Sequence, residues 1–168
     1  FIVGKAVPNP QSAIRNPQSS AAFVRWEFNA WGGKYDALKA DGRIPEEVAR
    51  ITGCTAFRPG IFLEGGSIDV NWAGVVLTTE QCLLNPNRNP GLNREGIEEI
   101  LRCFLGVEAV RWLKRGVAGD DTDGHVDDIA RFTDARTVVC CSEPDPADEN
   151  YAVLKENLDL LGKMAGAD

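Results

Sequence analysis

The sequence is 168 residues long, about one domain, and 43% of it is apolar, enough to fill a core. Its 18 basic and 25 acidic side chains leave a net charge of −7 and a pI near 4.8, which excludes a surface built to grip nucleic-acid phosphates. The same acidity either draws small cations or simply keeps the chain soluble.

Residues 8–20 carry Asn9-Pro10-Gln11-Ser12 and then Asn16-Pro17-Gln18-Ser19, two polar words with almost nothing to bury. They read as a flexible insertion without regular structure. Residues 21–27 read as a strand, with Phe23 partly alternating against Arg25. Residues 44–53 read as a short helix: Pro45 opens it, Glu46 and Glu47 sit at its positive end, and Gly53 stops it. A second strand is expected over 75–78. Asn93 then caps an amphipathic helix with Ile97, Ile100, Leu101, Phe104 and Leu105 on one face, and Gly106 ends it. Residues 109–113 read as a strand. Residues 129–133 and 137–141 flank Asp134-Ala135-Arg136 as a hairpin. Asp148 is expected to start a last helix with Tyr151, Leu154, Leu158 and Leu161 on one face. The order says α/β without choosing between a doubly wound sheet and a propeller.

No apolar run approaches the roughly 20 residues that span a bilayer, and no leader-like segment opens the chain, so no membrane role is expected. The five cysteines, Cys54, Cys82, Cys103, Cys140 and Cys141, form no CxxC pair and are odd in number. Neither a zinc ribbon nor a disulfide framework is suggested; reduced thiols and a cytoplasmic location fit best.

Two segments stand apart because no core or turn requires them. In Leu63-Glu64-Gly65-Gly66-Ser67-Ile68 a carboxylate lies between an apolar run and a glycine pair, where backbone or ligand can come close. A turn with a solvated glutamate gives the same pattern. Residues 119–128 hold the lone histidine, His125, among Asp120, Asp121, Asp123, Asp127 and Asp128. A solvated acidic loop is one alternative. A calcium loop is another, but Gly124 falls fourth from Asp121 rather than sixth, so that pattern fails; His125 with Asp127 is at most a partial transition-metal site. Glu64, His125 and Asp127 together suit a guanidinium. Carboxylates pair with its planar fork of N–H donors, and histidine serves both proton transfers of its hydrolysis. A thiolate is the sensible nucleophile for such a cation.

The stretch Trp26-Glu27-Phe28-Asn29-Ala30-Trp31-Gly32-Gly33-Lys34-Tyr35 resembles the W-x-F-N-A-W-G-G-K-Y of agmatine deiminases. Residues 63–68 resemble their E-G-G-S-I, residues 77–90 their L-T-T-E-x-C-L-L-N-x-N-R-N-P, and residues 119–132 their G-D-D-T-D-G-H-x-D-D-I-A-R-F. The resemblance implies a pentein fold, a five-bladed α/β propeller of ββαβ-type units, with residues 1–168 as part of that domain. It implies hydrolysis of agmatine to N-carbamoylputrescine and ammonia, a step toward putrescine, through a covalent cysteine intermediate and with no cofactor or metal. By motif, His125 is the general acid/base, Glu64 and Asp127 bind and orient the guanidinium, Asp121 contacts substrate and Trp31 is an apolar wall.

Asp69 departs from the histidine that often follows E-G-G-S-I. Two motifs of the family are not in the sequence: W-x-R-D-x-G-P, which supplies another substrate aspartate, and G-G-G-N-I-H-C, which supplies the nucleophile. The expectation is a central fragment, inactive alone. The partner expected is a small cationic guanidine, with room for a homo-oligomer and none for nucleic acid. An arginine or peptidyl-arginine deiminase of the same superfamily is the nearest alternative. A non-catalytic acidic module binding a cation or metal is the other.

Overall fold

Strands of two to five residues, too brief to be stable alone, build the sheets of a mixed α/β structure. The computed structural model describes residues 2–3 and 21–165; the insertion expected over 8–20 lies outside the described residues. The chain divides into two units, 1–62 and 63–168.

In the first unit, β1 (Ile2–Val3) pairs antiparallel with β2 (Ala22–Val24). The strand expected over 21–27 is interrupted after Val24. Its partner strand runs into Arg58-Pro59-Gly60, where proline offers no N–H and Gly60 turns at a φ of 77°. Pairing resumes at an isolated parallel bridge between Glu27 and Phe62.

A single turn, α1 (Ala30–Gly33), follows with four consecutive positive φ angles of 59°, 55°, 75° and 83°. For Ala30 and Trp31 such left-handed geometry costs roughly 1–2 kcal/mol each. Asn29 holds the turn, its Oδ1 accepting from Gly32 N–H at 2.9 Å. The Trp31 ring meets Phe28 and Tyr35 edge-on at 5.1 and 5.7 Å, and two glycines carry the remaining left-handed positions without penalty.

A 3-10 segment over Asp36–Arg43 leads into α2 (Ile44–Thr52). As its sequence requires, Pro45 lies in the first turn with Glu46 and Glu47, and Gly53 ends the helix in left-handed conformation. Arg25 ties β2 to this helix through Glu46 at 2.9 Å. Beyond α2, β3 (Thr55–Phe57) joins β2 in parallel.

The second unit repeats the same topology. β4 (Ile68–Val70) pairs antiparallel with β5 (Val75–Thr79), and two helices, α3 (Glu80–Leu83) and α4 (Arg94–Leu105), cross over to β6 (Ala109–Leu113), parallel to β5. Asn93 caps α4 by accepting from Gly96 N–H at 3.0 Å, Gly106 ends it, and Ile97 and Leu101 are fully buried. The hairpin β7 (Ala130–Phe132) and β8 (Val138–Cys140) and then α5 (Tyr151–Ala165) follow. Leu77, Leu113, Val126, Ile129, Ala130, Val153 and Leu154 make one core cluster.

The last helix departs from expectation in two ways. It begins at Tyr151, with Asp148 in the preceding turn. Its buried face carries Val153, Leu154 and Asn157, whereas Leu158 is 45% exposed. The reason is polar: Asn157 accepts from Lys114 N–H at 2.9 Å and donates to the Arg115 carbonyl at 2.8 Å, closing the backbone beyond β6. No helix among the described residues is long and apolar enough to cross a membrane.

Burial separates two positions of equal hydrophobicity. Leu101→Ala should cost about 2–5 kcal/mol of unfolding free energy. Ile51→Ala, at a side chain 73% exposed, should stay within about 0.5 kcal/mol. Urea titrations of the two variants check this, and equal losses would contradict the packing described.

Candidate active site

Glu64 stands on extended backbone just before a 3-10 turn, Gly65–Ser67. That turn is locked at both ends. Ser67 donates from its N–H and Oγ to the Glu64 carbonyl at 3.1 and 2.6 Å, and Thr78 Oγ1 donates to the Ser67 carbonyl at 2.8 Å. The turn brings Gly66 against the histidine loop: a Cβ there would lie 2.5 Å from His125 Nδ1 and 2.7 Å from an Asp127 carboxylate oxygen. Only glycine fits without moving both groups.

Asp120 builds the opposite wall. Its Oδ1 accepts from Thr122 N–H at 2.7 Å and from the Thr122 hydroxyl, and its Oδ2 accepts from Gly124 N–H at 2.7 Å and His125 N–H at 3.2 Å. Burial pushes the Asp120 carboxyl up, but these bonds outweigh it and hold the group below its ordinary value. Thr79 Oγ1 fastens the loop to the end of β5 through the Gly124 carbonyl at 2.5 Å. His125 then emerges buried, just ahead of the 3-10 turn Val126–Asp128, whose Val126 is in the core.

The two walls bring Glu64, His125 and Asp127 together. His125 Nε2 lies 3.7 Å from Glu64 Oε2, and Nδ1 lies 3.9 Å from Asp127 Oδ1. Both are ion-pair separations, too long for hydrogen bonds. Buried Nε2 has no hydrogen-bond partner among the described residues. The Glu64 side chain is only 5% exposed, whereas that of Asp127 is 32% exposed.

Beneath Glu64 lies Arg88, its side chain 0% exposed. Its Nε donates to Glu64 Oε1 at 2.9 Å, Nη1 to Asp123 Oδ2 at 2.6 Å and Asn87 Oδ1 at 2.9 Å, and Nη2 to the Thr122 carbonyl at 2.8 Å. Burial pushes the Glu64 carboxyl up, and His125 and Arg88 together more than reverse this, leaving it below its ordinary value. Cys82 is buried nearby, its Sγ 4.0 Å from Glu64 Oε2. Burial and then the Glu64 charge push its thiol up to about 12, which makes it inert as a nucleophile near neutrality.

On the open side Asp69 accepts from Phe132 N–H at 2.6 Å and forms an ion pair with Arg131 Nε at 3.2 Å, and Arg131 Nη1 faces Asp127 at 3.8 Å.

Of the residues singled out in the sequence, Glu64, His125 and Asp127 share this one site. Asp121 is exposed on the loop, and its neighbour Asp120 carries the loop's hydrogen bonds. Trp31 belongs to the first unit, in the left-handed turn α1. Sequence alone singles out neither Arg88, Arg131 nor Asp120, and gives Cys82 only as one of five reduced thiols. The one usable signal is Arg88 itself, an arginine set among asparagines four residues beyond the apolar Cys82-Leu83-Leu84. Among the described residues, Glu64, Cys82 and His125 are the group whose donor atoms lie close enough to share a metal ion.

Residues 8–168 match the Porphyromonas-type peptidyl-arginine deiminase family. The agmatine deiminase of Stutzerimonas stutzeri is 48% identical over 149 residues, covering 86% of this chain and 40% of that protein. The agmatine deiminase of Pseudomonas fluorescens is 42% identical over 153 residues, covering 88% and 42%. Among solved structures, an agmatine deiminase of Enterococcus faecalis superposes with a TM-score of 0.78 at 38% identity, over 85% of this chain and 41% of that one. A C. jejuni agmatine deiminase with substrate bound gives 0.80 at 37% identity, over 86% and 44%. The chain therefore spans well under half the length of the relatives it matches.

Arg88→Met strands a buried carboxylate and should cost about 3–5 kcal/mol, read from urea unfolding. A loss under about 1 kcal/mol would show that the pair is not holding the site. Acid should weaken the native protein by a related route. Glu64 and Asp120 bind protons less readily when folded than at their ordinary values of 4.5 and 3.8. Their stabilisation is complete above that range and is lost as pH falls through the lower folded values. Urea midpoints that stay flat between pH 6 and about pH 3 would contradict this.

Proposed function

The chain belongs to the Porphyromonas-type peptidyl-arginine deiminase family, and from that premise we propose that the whole protein hydrolyses agmatine to N-carbamoylputrescine and ammonia. The observation that carries the reading is the buried imidazole of His125 set between two carboxylates, with Nε2 left unpartnered. Such a site suits a planar cation that must exchange protons.

In this reading Asp127, the more open carboxylate, receives the guanidinium N–H groups. Glu64 has Oε1 committed to Arg88, so Oε2 alone faces the reaction, anchoring the imidazole and adding negative charge beneath the substrate. A thiolate adds to the central guanidinium carbon, and His125 gives a proton to the departing nitrogen, which leaves as ammonia. His125 then takes a proton from the water that attacks the thiol-bound intermediate. The C–S bond breaks, and the urea product leaves with the thiolate restored. The family motif that supplies the attacking thiol is not in this sequence, and Cys82, beside the site, holds its proton too tightly to replace it. These 168 residues alone are accordingly read as inactive. Asp121 is assigned as a further substrate contact.

For the fold, the antiparallel pair followed by a helical crossover to a parallel strand occurs once in each unit. β7, β8 and α5 repeat its first three elements. We take this ββαβ unit as the repeat of a pentein propeller.

The test is ammonia release from agmatine, arginine and a peptidyl-arginine substrate by the whole protein. His125→Asn should lower kcat by about 10²–10⁴-fold. Asp127→Asn should raise KM for agmatine, with far-UV circular dichroism unchanged. Undiminished turnover in His125→Asn would sink the assignment, and preference for either arginine substrate would move the specificity.

A further inference from the structure

Cys82 is buried beside the site, and the proposed hydrolysis has no use for it. We propose that Glu64, Cys82 and His125 form a binding site for a thiophilic divalent cation of the zinc or cobalt class. The donor atoms of the three side chains all lie within 4.8 Å of one another. Glu64 Oε2 is the shared corner, 3.7 Å from His125 Nε2 and 4.0 Å from Cys82 Sγ. A tetrahedral ion with ordinary bond lengths holds such donors roughly 3.3–3.6 Å apart, so the two edges at Glu64 need to contract by a few tenths of an ångström and the sulfur–imidazole edge by up to about 1.2 Å.

A second observation points the same way. The His125 side chain is more than nine-tenths buried, and its Nε2, the atom turned toward Glu64, has no hydrogen-bond partner. A buried imidazole nitrogen in that condition has a lone pair or a proton to place. The surroundings already supply what orients the ligands. Arg88 holds Glu64 through Oε1, which leaves Oε2 to Cys82 and His125, and Asp127 faces the opposite ring nitrogen of His125.

The chemistry of the set selects the ion. One sulfur, one imidazole nitrogen and one carboxylate oxygen suit zinc or cobalt, whereas magnesium and calcium require six or more oxygens. Binding replaces the S–H bond of Cys82 with a sulfur–metal bond, and the proton goes to solvent. Neutral imidazole and the carboxylate each give a lone pair, and nothing is oxidised or reduced. A fourth position remains for water. Because the ion takes Oε2 and Nε2, it and a guanidinium exclude each other.

The experiment is cobalt titration of the whole protein under a reductant that does not chelate metals. A thiolate-to-cobalt charge-transfer band should grow to one equivalent per chain, and zinc should abolish it. Cys82→Ser should remove the band, Glu64→Gln should weaken binding more than about tenfold, and Cys103→Ser and Cys141→Ser should leave it intact. Zinc K-edge absorption on the unmutated protein should find one sulfur in the first shell, a readout independent of whether any variant folds. Absence of sulfur there, or a band that survives in Cys82→Ser, overturns the proposal. Neither measurement uses turnover, so failure of the hydrolysis reading leaves this result standing, and the reverse holds too.

Discussion

A guanidinium with no access to water must find acceptors for its N–H groups within the protein, and this requirement at Arg88 shapes everything around it. The loop after α3 carries it inward, and its acceptors come from two distant segments: Glu64 at the edge of the Gly65–Ser67 turn, and Thr122 with Asp123 in the histidine loop. A buried ion pair of this kind adds little net stability, because desolvation costs about as much as the pair returns. Its effect is positional. Satisfying Arg88 fixes the separation of the two walls, and that separation sets Glu64 against His125.

The second wall reaches its conformation by the same logic at smaller scale. Asp120 collects donors from the following residues, so the loop folds around one carboxylate. Asp123, held by Arg88, adopts a positive φ of 65° that aspartate tolerates better than most residues. Gly66 then lets the walls meet. Anion, cation and glycine each do what the other residue types cannot, so the motifs around the site are long and nearly unbroken.

Much of the fold was legible because period and punctuation agreed. Helix α4 has its cap, stripe and terminating glycine all in sequence, and β6 followed its pattern to the residue. β3 and β4 left no such trace, since three residues are too few for a period to show. Leu158 misled for a different reason. Hydrophobic spacing favoured it, but the unpaired backbone beyond β6 needed Asn157, and hydrogen-bond satisfaction outranked one leucine. In the site, chemistry type revealed Glu64, His125 and Asp127. That Asp120 rather than Asp121 collects the loop's hydrogen bonds could not be read, since no pattern separates two adjacent identical residues. Arg88 was hidden because a lone arginine in a polar loop reads as solvated; only its burial shows that it is structural.

The site also contains a second internal guanidinium, and its contrast with Arg88 bears on how an external one is received. Arg131 is 57% exposed on its side chain and faces Asp127 at 3.8 Å, but its closer partner is Asp69 at 3.2 Å. Asp69 is itself fixed by the Phe132 N–H. The arginine is therefore drawn toward Asp69, and Asp127 keeps a carboxylate that is close to positive charge yet not hydrogen-bonded to it. A histidine at position 69 would supply no fixed negative charge to hold Arg131 back. Asp69 thus compensates the positive charge of Arg131, and the carboxylate it spares is the more open to solvent of the two that converge with His125.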